Sequence, residues 1–118
     1  MSEITTLARP YAKAIFELAQ QSKNLDAWST ALSLLSEAVH HPKAKAFIAH
    51  PETSNAQAVD FLMSMVKDTP LEHNGGVMNM LALLAQNKRL NVLPEVCHLF
   101  EGFMACLLYT SDAADDTP

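Results

Sequence analysis

The stretch from Val77 to Gln86, VMNMLALLAQ, carries no charge in ten residues. Wound as a helix at about 100° per residue, it is apolar around most of its circumference, with Asn79 and Gln86 as a thin polar strip. A helix of that kind must be enclosed on several sides, or buried on one side and covered by a partner on another. A chain of 118 residues has few helices of its own with which to enclose it. The stretch therefore points to binding rather than to chemistry. The plainer alternative is that methionine-rich packing fills an irregular interior and needs no partner.

The rest of the pattern is helical and predicts six helices. The first spans about Thr5 to Gln21, with Pro10 in its first turn or bending it slightly. The second follows Asn24 as N-cap and carries Leu25, Trp28, Leu32, Leu35 and Val39 at spacings of three and four, until His40-His41-Pro42 ends it. A short third helix covers Lys43 to Ala49 and is closed by His50-Pro51. Ser54 to Gln57 is a capping-box pattern that opens a fourth helix, with Val59, Leu62, Met63 and Val66 on one face, ending before Pro70. Asn74-Gly75-Gly76 is a turn into the fifth helix, which Asn87-Lys88-Arg89 closes with cations at its negative pole. The sixth starts near Asn91 and presents Leu93, Val96, Phe100 and Phe103. Alternating β-branched runs are missing, so the expected fold is all-α, a compact six-helix bundle.

The first helix has more apolar surface than one core requires. Leu7, Tyr11, Ala14 and Leu18 form one stripe, and Ala8, Ala12, Ile15, Phe16 and Ala19 an adjoining one. Together they span roughly 200°, against the ~100° a core-facing helix usually shows. Arg9, Lys13, Glu17 and Gln20 hold the narrow wet face. Two helices with surplus apolar arc, the first and the fifth, predict a groove sized for a third, foreign amphipathic helix. The core set is then Ala8, Ala12, Ile15 and Phe16 with Val77, Leu81 and Leu84. The partner-binding set is Leu7, Tyr11, Ala14, Leu18, Asn79, Met80 and Leu83, with Ala14 permitting close approach and Tyr11 offering a hydroxyl. Periodicity alone leaves the reverse assignment open.

Composition and spacing exclude much else. Net charge is −5 and the eight Lys and Arg are scattered, so no basic stripe follows a phosphate backbone and nucleic acid is not an expected partner. Charged residues make up 18%, below the usual quarter, as fits a surface partly given to an interface. Cys97 and Cys106 lie on opposite sides of one helix and cannot pair within it. His40, His41, His50, His73 and His98 lack metal-ligand spacing and read as solvated, mostly at helix ends. Asn74-Gly75-Gly76 lacks the length and the following Lys-Ser/Thr of a phosphate loop. No catalytic residue, metal site or cofactor is expected. No run approaches the ~20 apolar residues of a membrane span, so direct membrane insertion is not expected either.

Met1 to Phe16, MSEITTLARPYAKAIF, and Leu83 to Val96, LLAQNKRLNVLPEV, resemble the two most characteristic stretches of the delta subunit of bacterial F-type ATP synthases, the counterpart of the mitochondrial oligomycin-sensitivity-conferring protein. Trp28 fits as well. The resemblance covers Met1 to Met104, that family's N-terminal domain, and implies a six-helix bundle whose first and fifth helices receive the N-terminal helix of an alpha subunit. It also implies a non-catalytic stator subunit of the peripheral stalk, on the cytoplasmic side of the bacterial inner membrane. In that family a smaller C-terminal domain contacts the b subunits. Here the chain instead reads ACLLYTSDAADDTP, so residues 105–118 are expected to be a disordered tail without the C-terminal domain, and b-subunit contact is in doubt. The alternative function is a free-standing helical adaptor for amphipathic peptides. A small enzyme or apolar-ligand carrier would need polar groups converging on buried faces, which the pattern lacks.

Overall fold

Small side chains decide where the first helix lies. In the computed structural model, which describes residues 3–71 and 75–113 apart from the side chains of 107–113, α1 spans Glu3–Ser22. Its Ala8, Ala12 and Ala19 are fully buried and Ile15 nearly so, an alanine seam that lets the α1 backbone come close to its neighbours. Because α1 begins at Glu3, Pro10 falls in its interior rather than in its first turn, and on the exposed side.

Five further α-helices follow: α2 Leu25–His40, α3 Pro42–Ala49, α4 Asn55–Met65, α5 Gly75–Gln86 and α6 Leu93–Ala113, the last entered through a 3-10 turn at Leu90–Val92. Among the described residues there is no strand. The bundle is built around α6, which lies against both α1 and α2; α4 and α5 pack on each other and close the far side against α2 and α1. Trp28, Leu32 and Leu35 from α2 are buried together with Leu93, Val96 and Phe100 from α6. Phe16 reaches from α1 to stand edge-on to Phe100 and Phe103, each with centroids 5.5 Å away. Among the described residues no polar or charged residue is buried as a whole, so the core is held by apolar burial and shape. Two hydroxyl–carboxylate bonds pin α6 at its rim: Thr5 donates to Glu95 at 2.8 Å, and Ser29 donates to Glu101.

The helix ends set the directions in which successive helices leave one another. Ser54 and Gln57 form the expected capping box, with bonds of 3.1 and 2.8 Å. His41 caps α3 by accepting from the Lys43 N–H at 3.2 Å, and the His50 ring accepts from the Glu52 N–H at 3.1 Å. Asn24 is the N-cap residue of α2, yet its side chain makes no capping bond and Oδ1 is buried without a partner among the described residues. Its backbone serves two helices at once: its N–H closes α1 on the Ala19 carbonyl, and its carbonyl accepts from the Trp28 N–H, both at 3.0 Å. That leaves ψ at 42°, outside the extended range from which a capping side chain reaches forward. Gly75 and Gly76 belong to the first turn of α5 rather than to a turn ahead of it. The α6 backbone stays helical past Met104 to Ala113, because Ala105, Leu107 and Leu108 are good helix formers; the expected disordered tail therefore begins inside a helix, and 114–118 lie outside the described residues.

Helices α1 and α5 both end in a left-handed lysine, Lys23 at φ 58° and Lys88 at φ 57°. At each, the next residue's N–H reaches back five residues: Asn24 to Ala19 at 3.0 Å and Arg89 to Leu84 at 2.6 Å. This is the Schellman closure, in which glycine usually occupies the left-handed position. An L-residue there costs about 1–2 kcal/mol, offset partly by the extra backbone entropy glycine loses on folding. Lys88→Gly should therefore stabilise the protein by about 0.5–1 kcal/mol and raise Tm by a few degrees, on the order of 3–6 °C, in thermal denaturation followed by circular dichroism. A Tm equal to or below that of the parent would refute the strain.

Cys97 sits half-buried on α6, hydrogen-bonded to Ser33 of α2, while Cys106 is exposed. Burial pushes the Cys97 thiol above its ordinary value; the Ser33 hydrogen bond lowers it in part, and the nearby Glu101 carboxylate raises it further. Since the thiolate is the reacting form, an alkylating reagent at mildly alkaline pH should label Cys106 severalfold faster than Cys97. Mass spectrometry of a labelling time course gives the order, and equal rates would contradict the packing of α2 on α6.

Candidate functional site: an apolar face on the first and fifth helices

The burial of Ala8, Ala12, Ile15 and Ala19 turns the neighbouring stripe of α1 outward. Leu7 and Tyr11 are half-buried, Ala14 is exposed and Leu18 is 39% exposed. Ile4, 37% exposed, extends the same line by one turn at the amino end, so the stripe runs Ile4, Leu7, Tyr11, Ala14, Leu18 at spacings of three and four. Ile4 lies outside the expected partner-binding set, yet the same spacing of three and four points to it.

A single hydrogen bond fixes which side of α5 looks at α1. The Asn87 side chain donates from Nδ2 to the Tyr11 hydroxyl at 3.2 Å. Asn87 still follows the helical path, its N–H closing on the Leu83 carbonyl at 3.0 Å. Helical register then lines up Gly76, Met80 and Leu83 with Asn87 on the α1 side. Leu83 is 50% exposed and Asn79, on the adjoining edge, is exposed. Met80 departs from expectation: it is only 4% exposed and belongs to the core. The reason is angular. Met80 points about 60° nearer than Leu83 to the buried line of Val77, Leu81 and Leu84, and its flexible side chain follows them inward. Of the seven residues predicted to form the face, Leu7, Tyr11, Ala14, Leu18, Asn79 and Leu83 retain accessible surface, while Met80 lies beneath. Met78, 49% exposed, lies half a turn away from the Asn87 line and so belongs to a different side of α5.

The predicted core residues on the two helices divide similarly. Ala8, Ala12, Ile15, Val77, Leu81 and Leu84 are buried, and Phe16 is half-buried against α6. Trp28 is 1% exposed between α2 and α6, with its indole N–H unpartnered among the described residues.

Other surfaces are less suited to an elongated partner. A cleft of about 490 Å³ between α2, α3 and α4 is lined by Leu34, Ala38, Ala44, Phe47, Phe61 and Met65, with Phe47 and Phe61 tilted against each other at 5.5 Å. It is broken at its rim by Glu37, His41 and Lys43. Among the described residues no three His, Cys, Asp or Glu side chains gather in a manner that could hold a metal ion; His73 lies outside them. No helix among them is long and apolar enough to cross a membrane. What the α1–α5 face offers chemically is contact: aliphatic side chains, one small alanine, and one phenol with a fixed neighbour.

Comparison with known proteins adds an independent line. The family model for the ATP synthase delta (OSCP) subunit matches residues 7–113, which take in α6 to its last residue. The chain is similar to ATP synthase subunit delta of Legionella pneumophila (strain Lens), with 43% identity over 105 residues, 89% of this chain and 58% of the relative. It is 42% identical to the subunit delta of Thioalkalivibrio sulfidiphilus over 105 residues, covering 89% of this chain and 57% of the relative. With the subunit delta of Acinetobacter baylyi it shares 40% over 101 residues, 86% of this chain and 55% of the relative. The chain thus spans rather more than half the length of the curated relatives it matches. The all-α bundle, the two motif stretches on α1 and α5–α6, and a match over nearly the whole length agree: the chain belongs to the ATP synthase delta (OSCP) subunit family.

Proposed function

We propose that this chain acts as a peripheral-stalk, or stator, component of an F-type ATP synthase, and that its α1–α5 face binds the N-terminal helix of an alpha subunit. Residues 1–104 correspond, on this reading, to the family's N-terminal domain. The observation that carries the proposal is the stripe Ile4, Leu7, Tyr11, Ala14 and Leu18, left outside by the chain's own packing and bordered by Leu83 of the neighbouring helix. A helix laid along it buries its own apolar face, and a contact of the standard size would cover ~1,200–2,000 Å². The role is to hold the catalytic head still against rotor torque on the cytoplasmic side of the inner membrane. Holding needs no reacting group on this chain. It needs slow dissociation, and a face already assembled on two docked helices favours that by lowering the ordering cost of binding.

Ala14 gives the sharpest test because it is exposed, so a polar replacement spares the core. Ala14→Asp would place an unpaired carboxylate in a dry contact, at a cost of at least about 2 kcal/mol, or roughly 30-fold in Kd. Calorimetric titration of the 118-residue chain with a synthetic peptide of an alpha-subunit N-terminal helix should show that loss with Tm unchanged. The parent's affinity should vary little between low and high salt, since the contact is mostly apolar. Full affinity in the Asp variant would remove the face from the binding site; preference for unrelated amphipathic peptides would favour an adaptor instead.

A further inference from the structure

The Asn87–Tyr11 bond joins the end of α5 to the middle of the candidate face. Resting on the reading just given, we propose that Asn87 is a positioning residue that reserves the Tyr11 hydroxyl proton for the docked helix, so that this face selects a partner presenting a hydrogen-bond acceptor at the level of Tyr11. The argument starts from direction. Asn87 donates through Nδ2, and the phenol oxygen accepts. A phenol has one proton and can both accept and donate, so a hydroxyl already occupied as acceptor keeps its O–H for another group. The bond also polarises that O–H and strengthens its next donation.

Geometry gives the proton somewhere to go. Tyr11 is half-buried in the stripe, between Leu7 and Ala14, both apolar. Ala14, three residues on along the stripe, is small and exposed, so its own side chain does not hold an approaching backbone away. A partner helix that covered this phenol without an acceptor would strand its O–H in an apolar contact, which disfavours wrong partners more than it rewards the right one. The matching chemistry on the partner is a side-chain amide, a carboxylate or a free carbonyl, flanked by apolar residues.

The Asn87 backbone belongs to the closing turn of α5, its own N–H bonding the Leu83 carbonyl at 3.0 Å. It is followed by the left-handed Lys88, and the Arg89 N–H closes the turn on Leu84. Its side chain therefore reaches Tyr11 from a hydrogen-bonded turn, as a positioning role requires.

Three single variants and one double variant of the 118-residue chain separate this role from simple bracing, using calorimetric titration with the alpha-subunit N-terminal peptide and Tm as the control for folding. Tyr11→Phe removes the donor and should weaken binding about tenfold. Asn87→Asp keeps the link between the helices but reverses it: the carboxylate accepts the phenol proton, and binding should again fall about tenfold. Asn87→Ala cuts the link yet leaves the proton free, and should lose only about two- to threefold. A bracing role predicts the opposite order, with Asn87→Ala the worse of the pair. In the Tyr11→Phe background Asn87→Asp should have no further effect, which also controls for its added charge. Asn87→Asp binding like the parent, an additive double variant, or Asn87→Ala falling below Asn87→Asp would each overturn the proposal while leaving the face intact. A parent chain that does not bind the peptide would overturn the wider functional reading along with it.

Discussion

The arrangement of this bundle depends on how α1 spends its apolar arc. Its alanine seam, Ala8, Ala12 and Ala19, gives the core little volume but lets the helix sit close to its neighbours, with Ile15 and Phe16 supplying the bulk. A helix docked through small side chains fills its contact over a narrow sector. Of the larger residues of the adjoining stripe, Leu7 and Tyr11 lie half-buried at the margin of that sector and Ile4 and Leu18 outside it, and the stripe cannot be turned fully in without turning the alanines out. Burying Leu18 and burying Ala19, about 100° apart on the helix, are thus alternatives. The chain takes the second, and the exposed face follows from that choice rather than from any shortage of partners within the fold.

The same geometry explains which features could be read from the residues and which could not. Local signals with a single stereochemical meaning were legible: Ser54-x-x-Gln57 forms its capping box, His40-His41-Pro42 separates α2 from α3, and Leu93, Val96 and Phe100 face inward. The two stripes of α1 were legible because alanine spacing marks close packing and larger residues beside it mark the surplus. Asn24 stands at the N-cap as its place in the sequence suggests, but a residue shared between two helix ends satisfies both with its backbone, which takes its side chain out of capping range. Met80 was misread because α5 is apolar nearly all round. With so little polar contrast, the pattern fixes no inward direction, and a rotation of about 60° moves a residue from rim to floor.

Asn87 shows the limit most clearly. In sequence it is one of three polar residues closing a helix, beside two cations that complement a helix dipole. Nothing in that local pattern mentions Tyr11, 76 residues away. The hydrogen bond exists because the Schellman turn at Lys88 and the packing of α5 beside α1 bring the amide to the phenol. Long-range polar pairs of this sort are products of tertiary structure.

An exposed apolar stripe would ordinarily threaten solubility, and the surrounding residues limit that risk. The large exposed side chains on the face, Ile4, Leu18 and Leu83, each keep between 37% and 50% of their surface open, so half or more of each is already covered by the fold. The next sector of α1 carries Arg9, Lys13 and Glu17, and the chain as a whole is at −5. Charge repels like copies at long range, whereas a docked helix is held by short-range apolar contact that charge barely touches. The two effects act at different distances. A surface of this kind can therefore resist self-association and still suit a complementary apolar helix.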